Sequence, residues 1–231
     1  MKITWLGHAG FRIETKGQVL LLDPWLRGNP VFDESRFEEA IAGTTHLLVT
    51  HGHGDHAGTV AEIAKATGAP VVGIYDWVTW ITGQEGIEGI GFNKGGTVRL
   101  GEVGVTMVNA VHSSSASGPG GQPIYTGAEA GFVIADGSST LYVAGDTDVM
   151  SDMALIHDLH RPSHAILPIG GHFTMDAERA AYAVQKFFDL KGVIPCHYAT
   201  FPLLAQSADD FAARIAPVAV LAPEVMGSVE I

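Results

Sequence analysis

Residues 50–58 run Thr-His-Gly-His-Gly-Asp-His-Ala-Gly, and no other stretch constrains the fold of this chain as strongly. Three imidazoles and one carboxylate fall within six residues, spaced by glycine. Imidazole nitrogen and carboxylate oxygen are the donors that suit zinc and its first-row neighbours. Glycine between them lets the backbone turn tightly enough to aim all four groups at one centre. A histidine-rich surface tract would have the same composition. Here the apolar run Thr45–Thr50 leads in and a helical pattern leads out, which places the loop at a strand end, on the kind of rigid scaffold where sites are built.

The rest of the composition sets bounds. With 231 residues, 46% of them hydrophobic and only 16% charged, the chain has length for one large domain over 1–231 and for a sizeable buried core. A formal charge of −12 excludes a broad basic groove for nucleic acid, although a local patch for a small anion stays compatible with it. No apolar run reaches membrane-spanning length. The N-terminal Met1–His8 segment lacks the apolar core of a signal peptide and reads as a first strand. The single cysteine, Cys196, precludes an intramolecular disulfide, points to a reducing cytoplasm, and reads as a small buried residue.

Lys2–Leu6, Phe11–Thr15 and Gln18–Leu22 are predicted as an antiparallel meander, with Lys16-Gly17 as a two-residue turn. A short helix is expected around Ser35–Ile41. After the histidine loop, a helix over Thr59–Thr67 capped by Thr59, a strand over Val71–Ile74 and a short helix over Asp76–Thr82 capped by Asp76 are expected. A glycine-rich connection covers 83–96. Strands follow at Thr97–Leu100 and Val103–Ala110, and Ser113–Thr126 reads as a mobile lid or a plain connector. Gly131–Ala135 and Ser139–Val143 make a hairpin. Later strands at Ala165–Ile169, Val193–Pro195 and Val218–Leu221 alternate with helices at Met150–His160, Ala177–Leu190 (capped by Asp176) and Ser207–Ile215. Early hairpins followed by βα units fit two mixed sheets with helices outside, an α/β (α+β) architecture.

Four strand ends carry metal-type residues: the histidine cluster, His112, Asp146 and His197. A lone histidine after a strand is ordinarily just a satisfied polar group. Four coincident strand ends, one with a dense cluster, point instead to a site along one sheet edge. In this pattern the chain resembles the metallo-β-lactamase superfamily, whose His-x-His-x-Asp-His motif stands here as His51, His53, Asp55 and His56, followed in order by His112, Asp146 and His197. The segments Ile3-Thr4-Trp5-Leu6-Gly7-His8-Ala9 and Leu22-Asp23-Pro24-Trp25 resemble the bacterial metal-dependent hydrolase group related to ascorbate-phosphate lactonases.

That resemblance implies a four-layer αββα sandwich with two divalent ions per chain, zinc first, with manganese or iron as alternatives. His51, His53 and His112 would hold one ion and Asp55, His56 and His197 the other, with Asp146 bridging. Water between the ions would ionise near neutral pH and act as the nucleophile, and Asp55 would orient it or take its proton. His53 stands where di-iron oxygen-reducing members have glutamate, which favours hydrolysis over redox chemistry. Two further histidines at strand ends, His8 and His172, are candidates for catalytic or substrate contact. Asp23 is either a turn cap or the partner that fixes a ligand histidine's tautomer. His46, His157, His160 and His164 read as structural or exposed.

The expected activity is hydrolysis of an ester or lactone, or secondarily a phosphoester, in a small cytoplasmic metabolite. The competing class is a non-catalytic metal-binding module. The expected partner is a small molecule, with neither nucleic acid nor membrane, and self-association is left open.

Overall fold

The computed structural model describes residues 1–231. Strands β1 (Lys2–Gly7), β2 (Gly10–Thr15) and β3 (Gln18–Leu22) form the antiparallel meander. Lys16 and Gly17 both take positive φ (48° and 72°), the handedness that a two-residue hairpin turn requires. Helix α1 (Phe37–Ile41) precedes β4 (His46–Val49), which delivers the histidine loop. Then come α2 (Gly54–Ala57), α3 (Val60–Thr67), β5 (Val71–Ile74), α4 (Tyr75–Glu85) and β6 (Gly89–Phe92).

The second half contains β7 (Thr97–Leu100), β8 (Val103–Val108), the two-strand hairpin β9 (Ala116–Ser117) and β10 (Pro123–Ile124), β11 (Gly131–Ala135) and β12 (Thr140–Val143). It continues with α5 (Asp152–His160), β13 (His164–Pro168), α6 (Ala177–Phe187), β14 (Gly192–Cys196), α7 (Asp209–Ile215) and β15 (Ala219–Val220). A last strand, β16 (Ser228–Glu230), returns to pair with β1.

Two seven-stranded sheets result, ordered β16-β1-β2-β3-β4-β5-β6 and β15-β14-β13-β12-β11-β8-β7. Each changes once from antiparallel to parallel pairing, at β3/β4 in the first and β12/β13 in the second. One hydrophobic cluster of 59 buried residues draws on both sheets, so they share a single core. Strands such as β5 and β14 are buried at every position, as parallel strands covered on both faces must be. Helix α4 packs on β5 and β6, and α7 reaches α6 and β15. The architecture is the αββα sandwich.

Register places the site. Leu22 pairs with Leu48, Val143 with Ile166 and Pro168 with Cys196, so within each sheet these neighbouring strands end at most two residues apart. The residues that follow them therefore emerge along one edge of the sandwich.

Several boundaries depart from the sequence reading. Thr59 does not cap α3; its hydroxyl accepts instead from the backbone N–H groups of Leu26 and Arg27, at 2.9 and 3.0 Å. Asp76 lies inside α4, which starts at Tyr75 without a side-chain cap and runs to Glu85. The glycine-rich stretch hides β6. A Cβ at Gly89 would meet Val78 at 2.5 Å, so glycine there reflects close helix–strand packing and not a loop. By contrast Asp176 caps α6 as predicted, accepting from Arg179 N at 2.9 Å.

Candidate metal centre

In the loop after β4, Gly52 is required by close packing and not by a left-handed backbone. A Cβ on Gly52 would lie 2.8 Å from the Trp77 ring, and Gly52 N donates to Ser114 Oγ at 3.2 Å. The backbone elsewhere at this edge is held in unusual conformations. His8, Asp23 and His197, just past β1, β3 and β14, have φ of 54°, 43° and 56°. Such left-handed values on non-glycine residues are uncommon and cluster at functional sites. Gly145 (φ 65°) sits immediately before Asp146, where a Cβ would come 2.6 Å from Ala130 O.

All seven residues of the motif set meet here. Asp146, buried, directs Oδ2 at four imidazoles: His197 Nε2 at 3.1 Å, His56 Nε2 at 3.3 Å, His112 Nε2 at 3.5 Å and His51 Nε2 at 3.9 Å. His51, His53 and His112 bring donor atoms within 4.8 Å of one another, as do His8, Asp55, His56 and His197, and also His51, His56 and Asp146. Thus two donor groups flank one carboxylate.

Hydrogen bonds around the cluster set the tautomers. Asp23, itself buried, accepts from Thr50 N (2.8 Å), Thr50 Oγ1 (2.7 Å) and His56 Nδ1 (2.9 Å). Since the Thr50 hydroxyl gives its proton to Asp23, its oxygen accepts from His51 Nδ1 at 3.0 Å. Both histidines therefore hold a proton on Nδ1 and turn Nε2 inward, the orientation a metal ligand needs; His51 Nε2 meets His53 Nδ1 at 2.9 Å. His56 Nε2 is buried without a hydrogen-bond partner, its approach to Asp146 lacking hydrogen-bond geometry. A buried nitrogen left without a partner among carboxylate and imidazole groups fits a divalent first-row cation taking the place of its proton.

Burial pushes the His51, His53 and His112 imidazoles below their ordinary range, keeping them neutral and ready to ligate. Burial would also lower His56, but the Asp146 and Asp23 carboxylates outweigh it and hold that imidazole well above 6.5, so without a cation it carries a second proton, on Nε2, that a metal ion would displace. For Asp55 and Asp146 burial acts to raise the carboxyl. The His8 hydrogen bond reverses this at Asp55, and the nearby His56 and His197 charges do so at Asp146, leaving both well below the usual carboxylate range.

The remaining candidates divide. His8 is not a substrate contact: its ring is fully buried, with Nδ1 on Thr200 Oγ1 (2.9 Å) and Nε2 on Asp55 Oδ2 (3.2 Å). It holds Asp55 from behind, and burial lowers it to about 4. His172 is exposed and does not line the pocket beside the cluster. Its neighbour Phe173 does, together with Ser113, around a cavity of about 270 Å³. Neither residue stands out in the sequence, since a serine in a Ser-rich loop and a phenylalanine past a strand carry no spacing signal. Thr200 is equally silent, three residues beyond His197. The Ser113–Thr126 segment forms the β9–β10 hairpin, anchored by buried Ser114 and Thr126. Cys196 is buried with its thiol pushed well up by desolvation and by Asp146, so it is inert.

A fold of two such sheets with this donor set defines a metal-dependent hydrolase of the β-lactamase superfamily, and the comparisons agree. The family model described as "Beta-lactamase superfamily domain" matches residues 2–197. UPF0173 metal-dependent hydrolases of Cereibacter sphaeroides and Dinoroseobacter shibae are each 59% identical over 231 residues, covering the whole of both chains. The solved structure of Igni18, a metallo hydrolase from the hyperthermophilic archaeon Ignicoccus hospitalis, superposes with a TM-score of 0.86 at 33% identity, covering 99% of this chain and 97% of that one. The chain belongs to the UPF0173 metal-dependent hydrolase family. No helix is long and apolar enough to cross a membrane.

Proposed function

We propose that this chain is a binuclear hydrolase that cleaves an ester or lactone bond, with a phosphoester as the second choice, in a small cytoplasmic metabolite. The observation that carries the reading is the single oxygen, Asp146 Oδ2, set 3.1–3.9 Å from imidazoles of two donor groups. One carboxylate between two three-residue sets is the arrangement that lets two cations approach despite their repulsion. His51, His53 and His112 would hold one ion and Asp55, His56 and His197 the other. Bound divalent ions, zinc before manganese or iron, supply Lewis acidity and make water acidic enough to attack near neutral pH.

The chain's own groups do the rest. Asp55 is ionised and lines the pocket, with His8 fixing one oxygen, so the carboxylate is placed to take a proton from water. Ser113 offers a hydroxyl to a substrate oxygen. Asp23, directly at His56 and through Thr50 at His51, fixes Nδ1 as the hydrogen-bonding nitrogen and leaves Nε2 as the atom that faces a metal ion.

The test is to load the protein with zinc or manganese, count the metal per chain, and assay p-nitrophenyl esters, bis-p-nitrophenyl phosphate and lactones. Two ions and ester or lactone turnover are expected. Two ions without turnover of any substrate would overturn the reading in favour of a binding module.

A further inference from the structure

The pocket beside the donor groups is notable for what charge it lacks. Apart from metal-type residues, only Ser113 and Phe173 line it. None of the thirteen lysines and arginines in the chain is among the lining residues. Arg179, on the helix that follows the Phe173 loop, is committed to Asp148, with Nη1 2.8 Å from both carboxylate oxygens. Glu129 adds another acid behind the site, accepting from His112 N at 3.0 Å. The chain as a whole is at −12, which offers no long-range attraction to anions.

The chain segments that continue from the site's strand ends carry exposed apolar side chains, of which Phe173 reaches the pocket. Of nine large hydrophobic side chains exposed on the molecule, Val111, Ile124, Tyr125, Phe173 and Leu203 all lie on segments that follow β8, β13 and β14. These are the segments that carry His112 or run on from His172 and His197. Phe173 is half-exposed and already forms part of the pocket wall.

We infer that the substrate is electrically neutral away from the bond being cleaved and sets a short apolar chain against Phe173. This rests on the hydrolase reading above and narrows it. A remote phosphate or carboxylate would have to shed water into a pocket with no counter-charge beyond the metal centre itself, whereas an alkyl or acyl chain gains burial against the ring. Phe173 is then a specificity-determining residue: it selects the acyl group and takes no part in proton transfer.

A matched pair of esters tests this in the zinc-loaded enzyme. p-Nitrophenyl 4-sulfobutanoate carries a remote anion that binds zinc poorly, and p-nitrophenyl 4-(methylsulfonyl)butanoate is its neutral near-isostere. The neutral ester is expected to be favoured at least tenfold in kcat/KM. p-Nitrophenyl butanoate should exceed the acetate by about tenfold, as two buried methylenes allow. Phe173→Ala should reduce that acyl preference to about threefold or less, acting mainly through KM. Phe173→Lys should restore the sulfonate relative to the sulfone by at least tenfold. Equal or better hydrolysis of the sulfonate by the unaltered enzyme overturns this inference alone. Failure to turn over either ester with two ions bound overturns the hydrolase reading on which it rests.

Discussion

On the two-ion reading proposed above, replacing Asp23 by asparagine should cost metal affinity at both ions, although that reading gives Asp23 no place among the ligands. The reasoning is a proton count. Thr50 N donates to Asp23 Oδ1 at 2.8 Å and pins that position as an acceptor, so an asparagine must place its oxygen there. Its NH₂ then occupies the Oδ2 position, which now accepts from Thr50 Oγ1 and His56 Nδ1. A donor at that point forces His56 Nδ1 to become an acceptor and leaves the His56 proton on Nε2 alone. It also turns the Thr50 hydroxyl toward His51 Nδ1, which shifts the His51 proton to Nε2 as well. Each ligand must then change tautomer before it can bind. Loss of such an outer partner typically costs 10–100-fold in affinity, about 1.4–2.7 kcal/mol per ion. Asp23→Ala should behave differently. It strands buried donors and lowers the stability of the metal-free protein by about 1–3 kcal/mol, without dictating either tautomer. Chelator competition on both variants, with urea unfolding of the metal-free forms, separates the two effects. Long-range ¹H–¹⁵N correlation spectra report the tautomers directly. Wild-type affinity for both ions in Asp23→Asn would refute the scheme, as would a larger affinity loss in Asp23→Ala.

Three further outcomes are expected. Asp146→Ala should reduce bound metal below two per chain; retention of two would show that the carboxylate does not bridge. Gly170→Ala would drive a Cβ into the His197 carbonyl, so a loss of about 1–3 kcal/mol in urea unfolding, with weakened metal binding, should follow; an unchanged midpoint would show that the strand end can yield. The metal-free protein should lose stability on mild acidification. Burial lowers His8, His46, His51, His53, His112, His160 and His164, while only His56 is raised. The unfolded chain therefore takes up more protons as pH falls from about 6.5 toward 4. The opposing contribution of His56 is already complete below about 6.5 and is lost only as pH rises through its folded-state value. A urea midpoint that stays level between pH 7 and 5 would contradict this balance.

The parts of the fold that were legible in the sequence are those that local chemistry dictates. Lys16-Gly17 announces a turn needing two positive φ values, and Asp176 announces a cap, because each acts within a few residues. The histidine loop and the strand ends at His112, Asp146 and His197 were legible because apolar runs stop where polar donors begin. What escaped depends on distant partners. Gly89 and Gly91 read as loop residues, yet each gives room to helix α4. β16 exists because the first strand offers it an edge. Thr59 looks like a cap but is claimed by Leu26 and Arg27, thirty-odd positions earlier. His8 and His172 share a strand-end signature and a positive φ, yet one is walled in by Thr200 and Asp55 while the other faces solvent. A strand-end histidine fixes where the backbone leaves the sheet, and only the opposing sheet decides what the ring meets.

The distribution of donors between the sheets has a further consequence. His51, His53, Asp55 and His56 come from the first sheet, while His112, Asp146 and His197 come from the second. Each donor group therefore takes residues from both sides, and neither sheet alone completes one. The seam is tied close to the ligands by Ala130 N to Thr50 O at 3.0 Å and His197 N to His8 O at 3.0 Å. Folding brings unpaired imidazole nitrogens and two carboxylates together before any cation is counted, at a cost in desolvation that the shared core must offset. A cation between the groups would relieve that cost and add its binding free energy to the sheet–sheet contact. Metal affinity and the packing of the two sheets are thus a single linked quantity. Substitutions along the seam should weaken metal binding even where they touch no ligand, and metal should protect the seam more than it protects the outer strands β6 and β7.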